Sequence, residues 1–183
     1  MLLDASELFR AVSLEKNLAT GDLTSGCTTS AGLRCDGASV NLVVSMTPDM
    51  QFAIYYSDAT QFTGAGSAQY YRKNRTTGAV DLVSENGSGV LSNHTNADFA
   101  EYTAISSNGR FVIFACDDAT NLVSGVSETS LYRKDMDTGA ISVVSDRREA
   151  DGARNLYLFG AAHVSSDGSE VLFKSRTGVD IRK

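Results

Sequence analysis

An internal repeat is the feature that most constrains the fold of this chain. The stretch at 106–145, SSNGRFVIFACDDATNLVSGVSETSLYRKDMDTGAISVVS, has counterparts on both sides. Adding 59 to Asp49 gives Asn108, and adding 61 to Tyr71 gives Tyr132. The difference of two residues falls in the loop between the second and third strands of the unit, where an insertion disturbs no strand pairing. The spacing predicts that each copy is one supersecondary unit.

The repeat divides the 183 residues into units and connections. Two full units, at 39–84 and 99–145, each contain four apolar or alternating runs separated by turn residues, and we expect four strands in each. LFRAVS, within residues 1–13, matches the unit endings AVDLVS and AISVVS and predicts the closing strand or strands of an earlier unit. Residues 158–183 predict only the first two strands of a further unit. The polar, glycine-rich segment at 14–38 is expected to be a connecting loop.

The second strand of each unit is apolar at successive positions, which predicts packing on both faces. Phe52, Phe111 and Val171 begin alternating sets of apolar residues, and Tyr55, Phe114 and Leu172 make the intervening positions apolar as well. A sandwich strand, with one face in solvent, would instead alternate with polar residues. Repeated four-stranded antiparallel units with two buried faces indicate a β-propeller.

The turns between the first two strands carry short motifs. Asn108-Gly109 and Asp167-Gly168 predict hairpin turns, because both residues of each pair tolerate positive φ. Asp49-Met50 differs, because a methionine in the left-handed region is costly, and a different turn type is expected there.

These motifs resemble a known family. PDM at 48–50, SNG at 107–109 and SDG at 166–168, each followed by an apolar strand, are similar to TolB-like (WD40-like) β-propeller repeats. The resemblance covers most of residues 39–183 and implies a propeller, often in exported bacterial proteins, with no catalytic residues to carry over. The expected fold is all-β, a propeller of four-stranded antiparallel blades, with about three blade equivalents in this chain.

About three blades are too few to close a conventional ring, which takes at least about four. We therefore expect residues 1–183 to be a single propeller domain or a fragment of a longer one. The alternative is a homodimer that completes a six-bladed ring, with the N-terminal strand of each chain completing the last blade of the other.

Charge and hydropathy exclude two classes of partner. A net charge of -6 argues against a phosphate-binding surface, so no nucleic acid is expected. Apolar runs such as VNLVV at 40–44 are only strand-sized, and no membrane insertion is expected. The N-terminal residues MLLDASELFR lack the pattern of a secretory signal.

The three cysteines fall into two groups. Cys27 and Cys35 flank the polar segment TTSAGLR, and a disulfide closing this loop and two free thiols are both open alternatives. Cys116 lies in an apolar strand where the other units have Ser57 and Ser175, and we expect a buried packing thiol.

Few residues suggest chemistry. DMDTG at 135–139 spaces its carboxylates as a calcium loop does, but it lacks the downstream acidic ligand, and a hairpin turn is expected. The two histidines, His94 and His163, have no zinc-ligand spacing. We interpret the carboxylates near the ends of second strands as solvated loop acids rather than a glycosidase pair: Asp58, Asp117, Asp118 and Asp180. No cofactor and no metal site are predicted, and an enzyme is the less favoured class.

Strand order predicts that the turns at 47–50, 74–78, 107–109, 135–139 and 166–168 lie on one side of the units. The longer loops, at 58–67, 85–98, 117–129 and 146–157, are expected on the other side. Because insertions in repeat folds collect where function is elaborated, this long-loop side is the candidate binding face. Its candidate binding residues are Asp58, Asp117, Asp118, Asn121, Arg147, Arg148 and Arg154.

The sequence predicts a noncatalytic binding or interaction module with a protein, peptide or glycan ligand. The resemblance implies a periplasmic or extracellular location as part of a bacterial envelope or secreted protein. The alternative function is the propeller portion of a carbohydrate-active enzyme or peptidase whose catalytic residues lie outside this chain.

Overall fold

The computed structural model describes residues 41–58, 68–93, 95, 102–117, 119–126, 129–145, 162–175 and 178–182. Within these ranges the chain forms three antiparallel β-sheets. The first sheet contains β1 (Asn41–Met46), β2 (Phe52–Ser57), β3 (Gln69–Asn74) and β4 (Val80–Leu82). The second contains β5 (Ala104–Ile105), β6 (Phe111–Cys116), β7 (Ser130–Asp135) and β8 (Ile141–Val143). The third contains β9 (His163–Val164), β10 (Val171–Ser175) and β11 (Gly178–Arg182).

The strands of the first two sheets follow one another in chain order, β1-β2-β3-β4 and β5-β6-β7-β8. Their registers repeat as the sequence arithmetic predicted: Phe52 pairs with Asn74, and Phe111 pairs with Asp135. The protein is therefore all-β with four-stranded antiparallel sheets in the described residues, because each unit has strands long enough to pair and turns short enough to reverse the chain.

The third sheet differs from its prediction. Residues 158–183 were expected to contain two strands, but β11 pairs along the whole of β10, from Val171 opposite Arg182 to Ser175 opposite Gly178. The sequence signal for β11 is weak because the segment TGVDIR combines a glycine and charged residues with only two apolar side chains. A neighbouring strand supplies the hydrogen bonds that local propensity does not indicate.

The larger core lies between the first and second sheets. From the first sheet it receives Ile54, Tyr56 and Tyr70, and from the second Val112 and Phe114, all at most 3% exposed. The Tyr70 and Phe114 rings lie 5.6 Å apart and join the two sheets. Centroid distances of 4.5–7 Å are favourable for aromatic pairs.

A second core lies between the second and third sheets. It contains Ile113, Ala115 and Leu131 from one side and Val171 and Phe173 from the other. Together, the two cores confirm that β6 is buried on both faces. On β10 the prediction was wrong for Leu172, which is 37% exposed, because its side chain faces away from the second sheet and no further described sheet covers it.

The turns after β5 and β9 share one hydrogen-bond pattern. Ser106 Oγ donates to Asn108 Oδ1 at 2.6 Å and accepts from the Phe111 backbone N–H at 2.9 Å. In the same way, Ser165 Oγ donates to Asp167 Oδ1 and accepts from the Glu170 backbone N–H. The predicted hairpin turns are present, and only the glycine of each pair has positive φ. The Asn or Asp side chain accepts a hydrogen bond from the backbone N–H two residues on.

The turn after β1 is also built in this way, contrary to the expectation of a different type. Thr47 Oγ1 donates to Asp49 Oδ1 and accepts from the Phe52 backbone, as in the other two turns. Met50 has a φ of 58° where the others have glycine. Hydrogen bonds that involve the backbone and side chain of Thr47 and the side chain of Asp49 hold this turn, and they offset the strain of a side chain in the left-handed region.

The fourth strands end two residues earlier than their matching sequences suggested. After β4, Ser84 Oγ accepts a hydrogen bond from the Tyr70 backbone N–H at 2.9 Å. After β8, Ser145 Oγ accepts in the same way from Leu131 at 2.8 Å. The serine that ends each AVDLVS or AISVVS run thus replaces a backbone acceptor with its side chain and satisfies a buried N–H.

Candidate binding surface

The structure describes only part of the predicted binding set. Asp58, which directly follows β2, is half-buried, and Asp117 and Asn121 lie in the loop after β6. The remaining candidates, Asp118, Arg147, Arg148 and Arg154, lie outside the described residues, as do Cys27 and Cys35.

The loop after β6 is anchored in the core by apolar side chains. Ala119, Leu122 and Val126 are at most 7% exposed and belong to the core between the first two sheets. Between them, Ser124 and Gly125 are exposed, and Gly125 turns the chain with a φ of 79°. At the base of the loop, Thr129 Oγ1 donates to Asp117 Oδ1. The loop is therefore packed from beneath and presents its tip to solvent.

A second set of contacts ties this loop to the segment that leaves the first sheet. Asn93 Oδ1 accepts from the Thr120 backbone N–H at 3.1 Å, and Asn93 Nδ2 donates to Thr120 Oγ1 at 3.0 Å. Asn121 Oδ1 accepts from the Asn93 backbone N–H at 3.1 Å, and Asn121 Nδ2 donates to the Leu91 carbonyl at 2.6 Å. We call these four hydrogen bonds the asparagine clasp. The amide of Asn121, a predicted ligand-binding group, is thus engaged in holding the loop.

An ion pair between a buried lysine and a half-buried glutamate joins the same segment, near its other end, to the second sheet. Lys134 Nζ donates to the Glu85 carboxylate and, at 3.0 Å, to the Glu85 carbonyl. The lysine side chain is 2% exposed and the glutamate side chain 13%. The other carboxylate oxygen of Glu85 accepts from the backbone N–H groups of Gly87 and Gly89, at 2.7 and 2.8 Å.

These contacts determine the charge state of Glu85. Burial by itself raises the pKa of a carboxyl group. The hydrogen bond from Lys134 and the two backbone donors outweigh that cost, and the pKa of Glu85 is below its usual value. Glu85 is therefore ionised in the folded protein at neutral pH, and its carboxylate accepts hydrogen bonds at both oxygens.

The segment after β4 does not stay on the predicted long-loop side. A Cβ on Gly87 would lie 2.5 Å from the carbonyl oxygen of Gly139, in the turn after β7. Asn93, by contrast, meets the loop after β6. The prediction that the whole of 85–98 lies opposite the turns was wrong for residues around Gly87, because a short hairpin closed by the bridge between Glu85 and Leu91 carries them toward the turn.

Cys116 matches its prediction as a packing thiol. It is 0% exposed, and Ser92 Oγ donates to its sulfur at 3.5 Å. Burial raises the pKa of the Cys116 thiol to about 12. A thiol that stays protonated at neutral pH is a poor nucleophile.

DMDTG at 135–139 forms the predicted hairpin turn between β7 and β8. The Asp135 carboxylate accepts two hydrogen bonds from Arg110, at 2.9 and 2.8 Å, and one from the Asp137 backbone at 3.0 Å. The Arg110 guanidinium holds the pKa of Asp135 well below its usual range. Among the described residues, no group of three or more His, Cys, Asp or Glu side chains is placed to hold a metal ion.

Sequence reasoning missed Glu85, Asn93 and Lys134 as functional or structural groups. The repeated Tyr-Arg-Lys run was visible, but it indicated only register, because its partners lie far away in sequence. The available signal was a lysine at the same position of the third strand in two copies, Lys73 and Lys134. Both are buried in the structure, and lysine is rarely buried without a partner.

Comparisons with known proteins identify no sequence family. No protein-family model and no curated protein matches the chain. Among solved structures it is similar to TolB from Acinetobacter baumannii, with 18% identity and a TM-score of 0.44 over 74% of this chain and 28% of that one. It is similar to the tricorn protease, with 12% identity and a TM-score of 0.48 over 90% and 14%. A putative TolB from Agrobacterium tumefaciens gives 13% identity and a TM-score of 0.46 over 78% and 41%. The chain thus spans less than half the length of each of these proteins. In the part of the chain that the structure describes, no helix is long and apolar enough to cross a membrane.

Proposed function

We propose that this chain is a noncatalytic binding module, part of a β-propeller in a bacterial envelope or extracellular protein. Its ligand is a protein, peptide or glycan, and the loop after β6 is the centre of the binding surface. The repeated four-stranded sheets and the TolB-like turn motifs support the propeller assignment, and the same motifs support the location.

The observation that carries the proposal is the way this loop is held. Its base is bridged by Asp117 and Thr129, its middle is anchored by Leu122, and its flank is fixed by the asparagine clasp. Ser124 and Gly125 project from this support into solvent. Binding to a loop that is already ordered avoids the entropy cost of ordering it in the complex, which favours recognition.

The loop also differs from the parts that the repeat preserves. Turn residues, strand cores and closing serines recur between the first two units, whereas the loop after β6 is two residues longer than its counterpart, as the spacings of 59 and 61 show. Recurring positions specify the sheet, and a variable surface loop on a rigid scaffold is where recognition is usually placed.

A binding screen on the full chain tests the proposal, with a glycan array and a peptide library as probes. For any ligand found, Ser124→Arg should abolish binding, because a large charged side chain would replace a small one at the tip of the loop. The matched control is Thr76→Arg, which changes another exposed residue, in the turn after β3. Loss of binding in the control, with binding retained in Ser124→Arg, would place the ligand on the turn side and overturn the proposal.

A further inference from the structure

A contact between a phenylalanine and a glycine recurs at both places where neighbouring sheets meet, which we call joints, on the side of the short turns. At the first joint, the Phe52 ring lies directly beneath Gly109, so that an added Cβ there would come within 2.3 Å of the ring. At the second, the Phe111 ring lies beneath Gly168, and the corresponding distance is 2.2 Å. Both glycines are buried. Each ring therefore packs on a glycine backbone at a distance that any other residue would prevent.

An arginine of the same sheet completes each contact. Arg72 donates from a guanidinium nitrogen to the Gly109 carbonyl at 2.7 Å, and Arg133 donates to the Gly168 carbonyl at 2.7 Å. The Arg72 guanidinium also lies 4.9 Å from the centre of the Phe52 ring. The ring and guanidinium of one sheet thus contact one glycine of the next sheet. The contact is directional, because the earlier sheet in the chain always supplies the ring and guanidinium and the later sheet always supplies the glycine.

The two outward ends lack the parts of this contact. In the first sheet the glycine position is occupied by Met50, which has a side chain and is 39% exposed. In the third sheet the phenylalanine position, 59 residues after Phe111, is the exposed Glu170. The arginine position is Ile181, which pairs with Leu172 as Arg133 pairs with Ile113.

We infer that these residues form a directional latch, in which a phenylalanine and an arginine of one sheet contact a glycine of the next. One latch joins the first sheet to the second, and another joins the second sheet to the third. Because Met50 and Glu170 stand in place of the glycine and the phenylalanine at the outward ends, two copies of this chain cannot form the same latch there. A six-bladed ring of two copies would bring Glu170 of one copy to Met50 of the other and would have no latch at those joints.

The latch itself is tested by Gly168→Ala in two backgrounds. Left-handed strain alone should raise the unfolding equilibrium constant by about tenfold. With the Phe111 ring present, overpacking should add a further factor of about ten or more. In Phe111→Ala, or in Phe111→Leu if the alanine variant does not fold, that further factor should disappear. Equal costs of Gly168→Ala in both backgrounds, measured by urea unfolding, would overturn the latch.

The outward ends are tested on the full chain by light scattering and urea unfolding at low and high protein concentration. Glu170→Ala and Met50→Gly should leave the molar mass unchanged. The difference in unfolding free energy between each variant and the unchanged chain should be the same at both protein concentrations. Phe111→Leu, at the position equivalent to Glu170, is the matched control and should destabilise the chain at both. A dimer whose dissociation constant shifts tenfold or more in Glu170→Ala or Met50→Gly would overturn the inference about the ends.

Discussion

Lys134 of β7 donates from its ammonium group to the carboxylate and backbone carbonyl of Glu85, a residue 49 positions earlier that follows the first sheet. The lysine is nearly inaccessible to solvent, with 2% of its side chain exposed. The contact therefore couples the second sheet to the segment that connects it to the first, and its geometry depends on both being folded.

Replacing Lys134 with methionine should destabilise the chain by about 2 kcal/mol, because Glu85 would remain half-buried and negatively charged without its cation. Urea unfolding at pH 7 measures this loss. The double variant Lys134→Met with Glu85→Gln should lose less than Lys134→Met alone, because it leaves no uncompensated charge. A single-variant loss within about 0.5 kcal/mol, the range of ordinary surface substitutions, would contradict the prediction.

Lowering the pH should reduce the free energy of unfolding, in part through Asp135 at the turn after β7. Because the pKa of Asp135 is lower in the folded protein than in the unfolded chain, its ionisation stabilises the fold at pH values above about 4, the usual pKa of aspartate. That stabilisation is lost as the pH falls through the folded-state value. Arg110→Met removes the main cause of the lowered pKa and should make unfolding stability less steeply dependent on pH below about 4.

The control for the acid experiment is Asp135→Asn. In that background Arg110→Met should have little further effect on the pH dependence, since the carboxylate that the arginine contacts is gone. If Arg110→Met flattens the pH dependence equally in both backgrounds, another carboxylate is responsible.

Asn93→Ala should release the loop after β6 from the segment that leaves the first sheet. The side chain makes two hydrogen bonds to Thr120, and its loss should cost about 1–2 kcal/mol. Hydrogen exchange should increase at the backbone N–H of Thr120, which the Asn93 side chain now binds. Ser124→Ala, at the exposed loop tip, is the control and should change neither quantity.

Met50→Gly should stabilise the protein by about 0.5–1 kcal/mol, because glycine adopts a φ of 58° without the strain that a side chain causes. Thermal or urea unfolding gives the change. The neighbouring exposed residue Gln51 does not have positive φ, so Gln51→Gly should be destabilising by a comparable amount. A destabilising Met50→Gly would show that the methionine side chain makes contacts worth more than the strain.

Local patterns predicted much of the fold and little of the site. The spacing from Phe52 to Phe111 gave the correct strand register, and the two-sided apolar pattern of β6 matched two cores. The third strand of the last sheet was missed because β11 has a weak apolar pattern. Met50 was misjudged because propensity disfavours its conformation, whereas the hydrogen bonds around Thr47 impose it.

The sequence by itself determined the repeating unit: its turns, its strand pairing and the serines that close it, all of which depend on residues near one another in the chain. The tertiary structure decided which polar groups meet across the joints, such as Glu85 with Lys134 and Asn93 with Asn121. Those contacts depend on how one sheet packs against the next. That arrangement is set by the summed burial of many side chains rather than by any short pattern.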